Sequence, residues 1–118
     1  MTGRDEIRSK YGASAIAAID DFLDHTEMAD RLLDRDPEES DYETYFLAIE
    51  GVMNRLGESA KRMGDEFIAD HPELKLREIK DARNWVAHEY HDISHERIIA
   101  ALENELPATV EKLKRLLA

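Results

Sequence analysis

Cysteine is absent from the 118 residues, which excludes disulfides and any cysteine-ligated zinc site. Proline and glycine are scarce, at 3 and 5 residues, so chain breaks are few and the elements between them are long. No stretch approaches the roughly 20 apolar residues that a membrane-spanning helix needs. Met1–Lys10 is charged and no apolar run follows it, so no signal peptide is expected, and the cytoplasm is the expected location. Positive charge is also short: 16 Lys and Arg stand against 27 Asp and Glu, for a net charge of −11. Phosphate affinity rests on Lys and Arg, so this balance argues against bulk, sequence-independent nucleic-acid binding. It leaves room for a small basic site on an acidic body, and it suits a basic partner or simple solubility.

What is present is helix-forming. Hydrophobic residues make up 42% and charged residues 36%, weighted toward Ala, Glu, Lys, Leu and Arg, the balance of a helix-rich domain. The length predicts a single domain over residues 1–118, able to bury a core and small enough to gain from dimerisation. Apolar residues recur at helical spacing from Arg4 to Asp34, through Ile7, Tyr11, Ile16, Ile19, Phe22 and Leu32, with Gly12 as a possible break. Asp36-Pro37 interrupts, and Ser40 with Glu43 reads as a capping box opening a second helix over about 41–70. Its expected stripe is Tyr42, Tyr45/Phe46, Ile49, Val52/Met53, Leu56, Ala60, Met63 and Phe67. Gly51, Gly57 and Gly64 fall within it, read as points where a neighbouring helix comes close.

After His71-Pro72, a third helix is expected from Leu74–Leu76, fraying near His88–His91. Asp92 or Ser94 can cap a fourth, carrying Ile98, Leu102, Leu106, Val110 and Leu113, with a kink or restart at Pro107. No segment reads as a strand. The fold class predicted from these patterns is all-α, an up-down helical bundle of about four to five helices.

The chemistry concentrates in Asp81-Ala82-Arg83-Asn84-Trp85-Val86-Ala87-His88-Glu89-Tyr90-His91-Asp92. Metal-free RNA cleavage needs a base for the 2′-hydroxyl proton, an acid for the 5′-oxygen and a cation for the charge building on phosphorus. Histidine serves the first two roles because it titrates near neutrality, and arginine serves the third with its fixed fork of donors. In a straight helix Arg83 and His88 stand about 140° apart, so they converge only if the helix ends between them or a second subunit completes the site. Plainer readings stay open beside this one. Arg83 can pair with Asp81, Glu78 or another carboxylate, and His88 can cap a helix C-terminus. Tyr90 can be a rim aromatic, while Trp85 suits core or a dimer interface. A metal site at His88, His91 and His95 with Glu89 and Asp92 is not expected, because the helix should break there. Arg55, Lys61 and Arg62 form the obvious local basic cluster.

Arg83-Asn84, with four residues before His88, resembles the signature of HEPN domains, and His88-Glu89-Tyr90 resembles its continuation in HepT-like members. Leu56-Gly57-Glu58-Ser59-Ala60-Lys61-Arg62, His71-Pro72-Glu73-Leu74, Ile79 through Tyr90 and Asn104-Glu105-Leu106-Pro107 are similar to successive landmarks of the HepT-like family, in order. Trp85 and Ala87 depart from its common pattern.

The resemblance covers about Tyr45 to the C-terminus. It implies a HEPN-like dimeric bundle and a metal-independent, cofactor-free endoribonuclease toxin acting on cellular RNA, such as tRNA or mRNA. Arg83 and His88 would then be catalytic and Asn84 supporting, with Glu58 a candidate to orient the arginine. It also implies a nucleotidyltransferase antitoxin of the MNT type, with Tyr90 as the residue it modifies with AMP. The rival reading is a catalytically weak module that only binds such a partner. A purely structural helical dimer is a third, which leaves the clustered Arg, His and Tyr unexplained.

Overall fold

The computed structural model describes residues 1–87 and 95–118, with residues 83–87 described by backbone alone. All regular structure among these residues is helical. Helix α1 (Gly3–Tyr11) opens on a capping box. The Thr2 hydroxyl accepts from the Asp5 N–H at 3.1 Å, and the Asp5 carboxylate accepts from the Thr2 N–H at 3.2 Å. Gly12 ends α1 at φ 98°, a conformation strained for any residue with a side chain, and α2 (Ala13–Leu33) follows at once. The expected break at Gly12 is therefore present.

The second expected helix is two. α3 (Tyr42–Arg62) and α4 (Asp65–Asp70) are divided at Gly64, which also sits at φ 98°. Gly64 thus serves a chain turn rather than a helix approach. The capping box expected at Ser40 and Glu43 is not formed. A 3-10 turn over Glu39–Asp41 ties the Asp41 N–H to the Glu38 carbonyl at 2.8 Å, which takes Ser40 into the turn and leaves Asp41 at the α3 N-cap without a side-chain cap bond. Tyr42, expected in the buried stripe, is 44% exposed.

A second 3-10 turn, Pro72–Leu74, leads through Lys75 in the left-handed region into α5 (Leu76–Ala87). α6 (His95–Asn104) and α7 (Leu106–Leu117) complete the chain. Pro107 lies in the first turn of α7, where its missing N–H costs nothing, so the expected restart is present. The expected fraying near His88–His91 and the caps at Asp92 or Ser94 lie outside the described residues.

α3 is the central element and packs against α2, α5 and α6, while α1 lies on α2 and α7. Phe22, Ile19, Ile49, Leu56, Phe67, Leu74, Leu76, Leu102 and Leu113 are fully buried in one core cluster. These side chains come from α2 through α7, so a single core joins distant parts of the chain. A buried bond from the Thr109 hydroxyl to the Leu74 carbonyl, 2.9 Å, fixes α7 to the turn before α5. Arg4 grips Asp20 with two bonds of 2.9 and 3.1 Å, which fastens α1 to α2. The body is long rather than round, 51 × 26 × 20 Å. Among the described residues no helix is long and apolar enough to cross a membrane.

Candidate functional site at the end of α5

Arg83 and Asn84 stand on the helical backbone of the second half of α5. Their side chains, and all of His88 and Tyr90, lie outside the described residues. Glu58 is half-buried on α3, the helix against which α5 packs. Among the described residues no group of three or more His, Asp or Glu is placed to hold a metal ion.

The pairing of α3 with α5 locates this end of the molecule. Lys80 meets Asp65, just past the end of α3, at 3.6 Å, whereas Ala82 shares a small apolar groove with Met53 and Leu56. Glu50 and Glu58 stand about 12 Å apart along α3.

Glu50 has a partner that local spacing does not reveal. Its Oε1 lies 2.6 Å from Nε2 of His95, the first residue of α6. The His95 ring also stacks on Phe46, one turn earlier on α3, with centroids 4.3 Å apart and planes within 8°. The imidazole is thus held in its plane by a hydrogen bond and on its face by a phenyl ring. Both members of the pair keep about a third of their side-chain surface, 37% for His95 and 33% for Glu50.

A second imidazole is held on the α2–α3 seam. The Ser59 hydroxyl has one proton, which it donates to the Arg55 carbonyl at 2.9 Å. The contact of 3.0 Å from His25 Nδ1 to Ser59 Oγ therefore has the imidazole N–H donating. Burial pushes the His25 pKa below its ordinary value, and the positive charge of Arg55 adds to this. Of the basic cluster on α3, Arg62 is engaged by Asp21 at 3.0 Å, which offsets its charge. Arg55 is exposed beside His25.

Sequence spacing flagged neither histidine arrangement. Glu50 and His95 are 45 residues apart, and His25 and Ser59 are 34 apart. His95 entered the sequence reading only as a metal-ligand candidate, and Ser59 only as part of a landmark.

No curated protein and no solved structure matches the chain. A family model does: residues 14–116 match the model described as ribonuclease HepT-like, a span that runs from the second residue of α2 through most of α7 and includes the whole Arg83–Tyr90 segment. Together with an all-helical body carrying Arg83 near the end of α5, this match over nearly the whole length means that the chain belongs to the HepT-like family.

Proposed function

We propose that the protein is a metal-independent endoribonuclease toxin, active as a homodimer and neutralised by an MNT-type nucleotidyltransferase. The observation that carries this reading is the family match across residues 14–116, which includes the Arg83-Asn84 and His88-Glu89-Tyr90 pattern. In the reaction, the 2′-oxygen attacks phosphorus and the 5′-oxygen leaves, giving a 2′,3′-cyclic phosphate and a free 5′-hydroxyl. Arg83 stabilises the charge on the non-bridging oxygens, and His88 moves a proton. Asn84 supports the scissile phosphate with a neutral hydrogen bond, and Glu58 is a candidate to orient the arginine. Transfer of AMP to Tyr90 adds bulk and a negative phosphate two residues from His88, which repels or blocks RNA.

The test is cleavage of a panel of tRNAs and mRNA in EDTA by wild type, Arg83→Ala and His88→Ala. Discrete cleavage by wild type, reduced by at least about a hundredfold in either variant, is expected. Growth arrest on expression without the antitoxin should be lost in the same variants. The net charge of −11 and the Arg62–Asp21 pair favour a second reading, a binding module with little nuclease activity. No cleavage by protein shown by mass spectrometry to be unmodified at Tyr90, with unchanged growth, would select that reading.

A further inference from the structure

RNA cleavage makes no use of the acidic junction between α2 and α3. Asp34, Asp36, Glu38, Glu39, Asp41 and Glu43 fall within ten residues there, against Arg35 as the one base. All six carboxylates are exposed, and no ion pair among the described residues engages any of them. Helix stability accounts for only part of this charge. Glu43, in the first turn of α3, meets the positive end of that helix, where a carboxylate is favourable. Asp34 caps the C-terminus of α2, the negative end, where a carboxylate is unfavourable.

The same junction holds a groove of about 490 Å³. Leu32, Pro37, Tyr45 and Ala48 give it an apolar lining, and Asp36, Glu38 and Asp41 outnumber Arg35 among its charged walls. Apolar surface continues on this stretch of α3, where Leu47 is 60% exposed and Tyr42 44%. Apolar surface rimmed by charge marks a docking surface more than a solvated helix face. We propose that this groove docks a basic segment of a partner protein, with an apolar side chain seated between Lys or Arg residues. Charge decides among the occupants. RNA would bring phosphates to six carboxylates, which repel it. A second copy of the chain, itself at −11, would meet the same repulsion. A neutral apolar segment would leave Asp36, Glu38 and Asp41 crowded without counter-charge. Lys or Arg on both sides of an apolar anchor answers both features. The anchor removes Leu32, Pro37 and Tyr45 from water, and the cations offset the carboxylates and steer the encounter. Docking here uses neither Arg83 nor His88, so it stands or falls apart from RNA cleavage.

The test titrates the full chain with three synthetic peptides of one length. The first has Lys and Arg on either side of a tryptophan-leucine pair, the second has serine in place of that pair, and the third has Glu in place of Lys and Arg. The first is expected to bind by fluorescence anisotropy and to shift the NMR amide signals of Leu32, Tyr45 and Ala48. The serine peptide should bind at least about tenfold more weakly, and the Glu peptide not at all. Asp36→Asn, Glu38→Gln and Asp41→Asn together should weaken the first peptide by about tenfold at low salt. Glu6→Gln, Glu66→Gln and Glu73→Gln together remove the same charge from exposed sites elsewhere and should leave its affinity within a few-fold. Ala48→Arg, which fills the groove from an exposed position, should abolish binding; circular dichroism checks that each variant folds. No binding by the first peptide, equal binding by the serine peptide, or equal losses in the two charge variants would overturn the proposal. So would displacement of the first peptide by a single-stranded RNA, which would make the groove a nucleic-acid site. Light scattering that shows a wild-type multimer dissociated by Ala48→Arg would assign the groove to a second copy and overturn it as well.

Discussion

Ser59 shows how much one hydroxyl carries. Fully buried, it accepts from His25 across the α2–α3 seam and donates to the Arg55 carbonyl one turn back in α3, so it satisfies two groups at once. Ser59→Ala leaves the His25 N–H without its acceptor and should cost about 1–3 kcal/mol, read as a lower midpoint in urea with an unchanged slope. His25 adds a pH dependence. Its imidazole takes up a proton less readily in the folded chain than in the unfolded one, because burial disfavours the charge. Unfolding therefore binds protons as the solution is acidified. Stability from this group is full above the ordinary histidine range and is lost as pH falls through the lowered folded-state value. His25→Gln, which keeps a donor for Ser59, should lose less Tm between pH 7 and pH 5 than wild type does. An equal loss would place the acid sensitivity elsewhere. Neither His25–Ser59 nor Glu50–His95 was legible in the sequence. Each joins side chains from different helices, and helical periodicity says which face a residue occupies without saying which other helix that face meets.

At the scale of elements, the glycines separate by backbone conformation. Gly12 and Gly64 both sit at φ 98°, so Gly12→Ala and Gly64→Ala should each destabilise by about 1–3 kcal/mol even though nothing would touch the added methyl. Gly51 is different. It lies inside α3, exposed, with open space where a side chain would begin, so no neighbouring helix within the described residues approaches it. Gly51→Ala should stabilise by about 1 kcal/mol through helix propensity, checked by thermal unfolding beside the other two. The break at Gly12 and the restart at Pro107 were legible because each residue interrupts a pattern with a known backbone cost. The division at Gly64 was not, because Met63 and Phe67 keep helical spacing across it and both are buried. The Ser40–Glu43 capping box failed for a related reason: the right residues stand at the right spacing, but a 3-10 turn had already claimed Ser40.

For the molecule as a whole, the all-helical class followed from composition and periodicity, and the family followed from ordered landmarks along the chain. What those could not supply was the packing order, in which α3 is shared by α2, α5 and α6. The charge balance bears on substrate binding at this scale. A body at −11 with Arg62 already paired leaves few cations for phosphates. RNA affinity should therefore fall less than about tenfold between 50 and 200 mM salt, the slope of roughly two phosphate contacts on a single strand. A steep slope in a fluorescence titration would mean a longer basic track than these residues provide. The elongated body has a practical consequence for stoichiometry. A compact chain of this length has a radius of gyration of about 13.5 Å, against 14.9 Å here, with one axis about twice the others. Such a particle drags more solvent than a sphere of equal mass and leaves a sizing column early. A single copy judged against round standards would pass for something heavier, so the number of copies in solution, alone or with a partner, is better weighed by light scattering than inferred from elution.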